Sequence, residues 1–357
     1  MELRQQIRFC KSRDGVRLAY ATTGRGPPLI KVGNWLSHLE YDFSSPVWGH
    51  LLEVLSSRHT VFRYDQRGTG LSDRTVEVID FEAWLSDLEA VVTAADVDRV
   101  PILGISQGAP IAIAYAVRHP ERVSKLVLHG GYARGRRRRG GGAAMDEESE
   151  TFARMAELGW DRADSSFRQF FTNQFLPDAP ASQQRWFNEL SLLSVSGETT
   201  GRMVREFDRI DVSGLLDQVR APTLVLHATG DLRVPFSEGR LIATRIEGAR
   251  FVPLDSKYHL MLADDPAWGR WVQEVQDFLG SADLDANLRR ISRLTAREHE
   301  LLELIAQGRD NAQLAALLHL SDNTVRNHIT SIFAKLEVDN RARAIVLARE
   351  AGLGAKA

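Results

Sequence analysis

The chain has 357 residues, 43% of them apolar and 26% charged, with 45 Arg and Lys set against 47 Asp and Glu. These are the values of a folded, soluble protein long enough for two domains, one of them large, and they exclude a disordered or low-complexity chain. One cysteine, Cys10, excludes an internal disulfide. With no apolar leader and no bilayer-length apolar run, the chain is expected in the reducing cytoplasm, off any membrane.

In chain order, Leu29–Val32, Thr60–Tyr64, Val100–Ile105, Leu126–His129 and Thr223–His227 are short apolar runs, each followed by a helix-length segment. Such runs predict buried parallel strands. Phe81, Trp84, Leu85, Leu88, Val91 and Val92 fall at helical spacing after Asp80. Repeated strand–helix units predict a doubly wound, mostly parallel α/β sheet up to about residue 280. The glycines of Asp65-Gln-Arg-Gly-Thr-Gly-Leu-Ser72 are not read as a phosphate loop. Neither Gly-Lys-Ser/Thr nor a full dinucleotide fingerprint follows them.

Between about 135 and 215 the alternation gives way to helical pieces that hold nine of the 28 aromatic residues. An insertion of that kind predicts a cap over a mostly apolar pocket, although packing of the insertion on the sheet accounts for most of its rings. The basic run Arg134–Arg139 opens the insertion. Its first reading is an exposed mobile loop, its second a nucleic-acid contact and its third a membrane-surface patch. No Cys/His or His/carboxylate cluster has metal-ligand spacing, so neither a metal nor a cofactor is expected.

Chemistry concentrates at three strand ends. Gly104-Ile105-Ser106-Gln107-Gly108 stands between an apolar strand and a helix over Pro110–Arg118. That is the context of a nucleophile elbow, with the Gln107 N–H aimed at a developing oxyanion. Gly230-Asp231 ends the Thr223–Thr229 strand, and His259 follows a last strand at Phe251–Leu254. In this order Asp231 would hold the imidazole of His259, and His259 would deprotonate Ser106. Residues 8–280 thereby resemble the α/β-hydrolase superfamily. The resemblance puts Trp35 at the second oxyanion donor, and it marks a departure. Where that family has His-Gly, this chain has Gly33-Asn34, and a bulky Trp35 beside the nucleophile narrows the pocket. His38 and Glu40 are expected to line its mouth.

Residues 281–293 are expected to link the first domain, 1–280, to a second, 294–357. There Thr295 and Glu298 form a capping box that opens a helix ending at Gly308, and Asn311 is expected to cap a short second helix. Ser321 caps a third, on which Val325, Ile329, Ile332, Phe333 and Leu336 form one apolar stripe. Its other face carries Asn323, Arg326, Asn327, Thr330 and Ala334. Asn340 caps a fourth helix. Residues 294–352 are similar to the LuxR-type helix-turn-helix family in Leu-Thr-x-x-Glu, Gly308, Asn311, Thr324-Val325-Arg326-x-His328 and Lys335-Leu336. That resemblance implies base reading by Arg326, Asn327 and Thr330, and phosphate contacts by Thr324, His328 and Lys335. The family often has a basic residue where Thr330 stands. Residues 289–357 hold 11 Arg and Lys against 8 Asp and Glu, a small excess. A double-stranded operator is therefore expected to be bound by a homodimer.

Two readings of the whole follow from the paired resemblances. In one, the chain is a transcription regulator whose hydrolase-like domain senses a small, largely apolar ester, lactone or amide. In the other it is a working serine esterase or lactonase with a DNA-binding tail. A tail that contacts only protein is the third.

Overall fold

The computed structural model describes residues 3–351 and 353–354; for 281–286, 288 and 350 the backbone alone is described. Eight strands form one sheet: β1 (Gln5–Lys11), β2 (Arg17–Thr23), β3 (Pro28–Lys31), β4 (Thr60–Tyr64), β5 (Val100–Ile105), β6 (Val123–His129), β7 (Thr223–Ala228) and β8 (Arg250–Leu254). Their order is β1-β2-β4-β3-β5-β6-β7-β8. From β4 to β8 every pairing is parallel, while β1–β2 and β2–β4 are antiparallel. The parallel strands are those expected, because helices cover both faces and make them continuously apolar; β7 is buried at every position. The β1–β2 hairpin was not anticipated. β1 is half-buried or exposed at every position on the sheet edge, and its polar Gln5-Gln6-Ile-Arg-Phe-Cys-Lys has no apolar run.

The chain leaves β3 toward β4 on one side and returns to β5 on the other. Their carboxyl ends therefore meet at a topological switch point, where open α/β sheets bind ligands. The helices here are α1 (Leu39–Phe43), α2 (Gly49–Ser56), α3 (Phe81–Ala94) and α4 (Gly108–Arg118), with the cap formed by α5 (Gly142–Gly159), α6 (Ser166–Phe175), α7 (Ala181–Ser194) and α8 (Gly197–Arg209). The Asp65–Ser72 turn is structural. Asp65 Oδ2 accepts the N–H groups of Leu39 and Leu71, and a β-carbon on Gly70 would lie 2.1 Å from that carboxylate. Arg67 is spent on the buried Asp87 at 2.7 Å.

After α9 (Phe236–Arg245), α10 runs Trp268–Ile291, so the backbone is helical across most of the expected linker. The side chains of 281–286 lie outside the described residues. The chain forms two compact units, 1–275 and 276–357. In the second, α11 (Ala296–Ala306), α12 (Asn311–Leu318), α13 (Asp322–Leu336) and α14 (Arg341–Glu350) pack a core that includes Leu301, Ile305, Leu314, Val325, Ile332 and Leu336. The Thr295/Glu298 capping box forms as expected. The cap of α12, however, is Asp310 with Gln313, while Asn311 accepts from Arg341 at 3.0 Å. Either short polar side chain can cap, and the one whose backbone is extended does so. Among the described residues no helix is long and apolar enough to cross a membrane.

Candidate functional site

Ser106 follows β5 with φ +53°, a left-handed backbone costly for a residue with a β-carbon. Its surroundings enforce the turn. A β-carbon on Gly104 would lie 2.8 Å from the α4 backbone, and one on Gly131 would lie 2.3 Å from Ala109 Cβ. Asp231 follows β7 and His259 follows β8, so all three residues occupy strand ends on one edge of the sheet.

Asp231 Oδ2 lies 2.7 Å from His259 Nδ1, with both side chains fully buried. Asp231 Oδ1 also accepts the N–H groups of Arg233 and Val234, at 2.8 and 2.9 Å. Burial alone would raise this carboxyl, but His259 and these donors outweigh it and hold it below the usual carboxylate range. The ionised Asp231 thus orients Nδ1–H and leaves Nε2 as the base. Nε2 is buried and accepts nothing among the described residues, Ser106 Oγ included. Asp231 and His259 are brought together; Ser106 stands at a strand end on the same edge and makes no hydrogen bond to the imidazole. Two histidines missed by sequence reasoning pack here. His129 Nε2 is 3.3 Å from His259 O, and His227 Nε2 is 3.6 Å from Asp231 Oδ2. Burial pushes His129 down to about 3, so it is a neutral prop. Both sit inside apolar strand runs, where nothing in the sequence separates a prop from a core residue.

The two expected oxyanion donors meet in an unexpected way. The Trp35 N–H donates to the side-chain Oε1 of Gln107 at 2.9 Å, and Gln107 Nε2 is buried without a partner. The Gln107 N–H lies at the start of α4, where backbone donors lack intrahelical acceptors. One donor is therefore open and the other is held by the neighbouring amide. Asn34 accepts from the buried Lys31, whose ammonium lies 4.9 Å from the Trp48 ring.

Trp35 is packed by four cap or cap-flanking rings, Trp160, Phe171, Phe175 and Phe207, with centroids 5.6–6.1 Å away. Such pairs add about 0.5–1.5 kcal/mol each beyond area burial. Phe175 also lies edge-on to His259 at 5.3 Å. The remaining cavity at Ser106 is about 20 Å³, room for roughly one water. Its wall is not the mostly apolar one expected: Arg136, Arg139, Arg233 and Asp208 line it.

In the second unit, Ser321 caps α13 and accepts the Thr324 N–H at 3.2 Å. Arg326 and Asn327 are exposed, and their side chains hold no partner among the described residues.

Residues 36–266, well over half of the chain, match the alpha/beta hydrolase fold family. The chain belongs to that family. Residues 292–348 match the bacterial regulatory proteins of the luxR family, so a LuxR-type helix-turn-helix domain follows the hydrolase domain. The AB hydrolase superfamily protein YisY of Bacillus subtilis (strain 168) is 26% identical over 268 residues, covering 70% of this chain and 91% of its own. The pyrrolizixenacetamide deacetylase of Xenorhabdus hominickii is 27% identical over 272 residues, covering 75% and 96%. Among solved structures, a hydrolase from Pseudomonas aeruginosa PA01 aligns with TM-score 0.64 and 26% identity over 77% of this chain and 98% of that one.

Two expectations about side chains of the hydrolase domain need correction. His38 and Glu40 do not line the cavity: His38 Nδ1 accepts the Tyr41 N–H as the cap of α1, and Glu40 is exposed. The Arg134–Arg139 run is not a free loop. Arg134 pairs with the buried Glu238 at 2.7 Å, Arg136 with Glu148 at 2.6 Å, and Arg137 donates to Ser149 at 3.0 Å. Glu238 lies 104 residues along the chain and Glu148 and Ser149 lie 12, and no local pattern announces them. On α13, Lys335, expected on a phosphate, is 34% exposed and bonds Glu298 Oε2 at 2.6 Å. The Thr330 hydroxyl likewise donates to its own helix at Arg326 O, 3.0 Å away.

Proposed function

We propose that the chain is a DNA-binding transcription regulator whose hydrolase domain receives a small ester, lactone or amide at Ser106, with turnover slow or absent. The observation that carries the receptor reading is the Trp35 N–H donating to Gln107 Oε1. Catalysis of acyl transfer needs both donors aimed at the oxyanion, and losing one typically costs ~10²–10³ in rate. The small accessible volume of about 20 Å³ supports the same reading, because a ligand larger than a water must rearrange the wall to reach Ser106. A rearrangement required for binding is what a sensor converts into a signal.

In the tail, Arg326 and Asn327 read base edges in the major groove, with exposed Thr330 beside them, while Thr324 and His328 meet phosphates. The small positive excess there favours a homodimer on a two-fold operator. The second reading is an active esterase, lactonase or amidase. The 2.7 Å His259–Asp231 pair favours it, as does a relative named as a deacetylase.

The test is 4-nitrophenyl butyrate with the full chain and with Ser106→Ala, run beside gel shifts of a genomic fragment pool. We expect Ser106-dependent release of at most about one nitrophenolate per chain, accompanied by a change in DNA affinity. Sustained Ser106-dependent turnover at about 1 s⁻¹ or more, the ordinary enzyme range, would establish the second reading instead.

A further inference from the structure

The wall beside Ser106 carries three guanidiniums and one carboxylate. Arg136 is neutralised by Glu148 at 2.6 Å. Arg139 spends its Nε on the carbonyl of Arg134 at 2.8 Å, and Arg233 donates one Nη to Gln174 Oε1 at 3.2 Å. Neither has a carboxylate partner among the described residues. Asp208, the one acid in the wall, leaves Oδ2 buried and without a donor, so it does not satisfy them. Asp208 and, for Arg139, Glu238 attract these guanidiniums only from beyond hydrogen-bond reach. Half-buried guanidiniums without a directly bonded anion are costly, and a carboxylate matches their planar fork in two parallel hydrogen bonds. Arg233 is also well placed: its guanidinium lies over the Trp35 ring at 5.6 Å and the Phe175 ring at 5.4 Å, between the oxyanion side and the His259 side of the site. Burial and then the charge of Arg136 push Arg233 down to about 10, against the weaker pull of Asp208.

We propose that the ligand of this site carries a carboxylate in addition to its ester, lactone or amide, and that Arg139 and Arg233 receive that carboxylate beside Ser106. The inference rests on the reading of Ser106 as the acyl-binding point. It replaces the largely apolar ligand expected from the sequence with an acid-bearing one. Both arginines line the small cavity, and side chains of that length can re-aim without a change of backbone.

The test compares 4-nitrophenyl hydrogen adipate with 4-nitrophenyl hexanoate on the full chain, with Ser106→Ala as background. The two esters share chain length and leaving group and differ in the terminal carboxylate. Ser106 Oγ adds to the carbonyl, its proton passes to His259 Nε2, and 4-nitrophenolate leaves, so the first turnover is read by absorbance. We expect the acid-bearing ester to acylate Ser106 about ten- to a hundred-fold faster, the worth of a charge-assisted hydrogen bond. Free adipate should protect, inorganic phosphate should not, and the acid-over-neutral ratio should fall toward one in Arg139→Gln and in Arg233→Gln. The wild-type ratio stands even if a variant fails to fold. Equal or faster reaction of the neutral ester, while a fluorophosphonate labels Ser106, overturns the proposal and leaves the acyl-binding reading intact. Protection by phosphate equal to that by adipate overturns the carboxylate assignment in favour of a phosphoryl group. If no probe engages Ser106, both readings fall together.

Discussion

The two chemistry-bearing regions are built in opposite ways. At the hydrolase site, Asp231 and His259 are fully buried, brought together from distant strand ends, and held by partners on several elements. On α13, Arg326 and Asn327 stand exposed on one helix, set there by local periodicity and a serine cap. A buried constellation acts as a unit, so loss of one member is felt by all; an exposed reading face is a set of separable contacts.

That contrast sets the scale of three expected effects. The largest is Asp231→Asn, which should slow fluorophosphonate labelling of Ser106 by about 10³–10⁴, because the imidazole loses the anion that selects its tautomer. A loss below ten-fold would mean that His259 is held by its packing alone. Next, Arg326→Ala should weaken binding to a specific operator fragment by about 1–3 kcal/mol and relax base preference at one position. Uniform weakening on all sequences in a gel-shift series would place Arg326 on a phosphate. Combined with Asn327→Ala, the two losses should add, whereas strong non-additivity would make the face another cooperative unit.

The smallest concerns the stability of the tail. Burial would raise the Glu298 carboxyl, but Lys335, Ser331 and Thr295 outweigh it and hold it down to about 2. A carboxyl depressed in the folded state contributes stability that is present above its unfolded value, about 4.3, and is lost as pH falls toward about 2. Glu298→Gln should therefore destabilise the tail by about 1–2 kcal/mol at neutral pH and flatten this acid dependence. Hydrogen exchange of the α11 and α13 amides in the full chain measures both. An unchanged profile would show that Glu298 does not hold Lys335.

The parallel strands, the elbow around Ser106 and the recognition helix were all legible in the chain, because each depends on neighbours within a few residues. Apolar runs mark strands buried on both faces, small residues mark the sharp turn, and the i, i+4, i+7 spacing of Val325, Ile329 and Ile332 marks a helix face. The order of Ser106, Asp231 and His259 was equally plain, since each ends its own strand. What lies opposite a side chain was not legible. The pairing of the Trp35 N–H with Gln107 Oε1 spans 72 residues, and that of Arg134 with Glu238 spans 104. The capture of Lys335 by Glu298 spans 37. Each of these turned an expected donor or free charge into an engaged one. Local periodicity dictates where a side chain starts, but its partner is chosen by the packing of remote elements, and only the assembled fold supplies that.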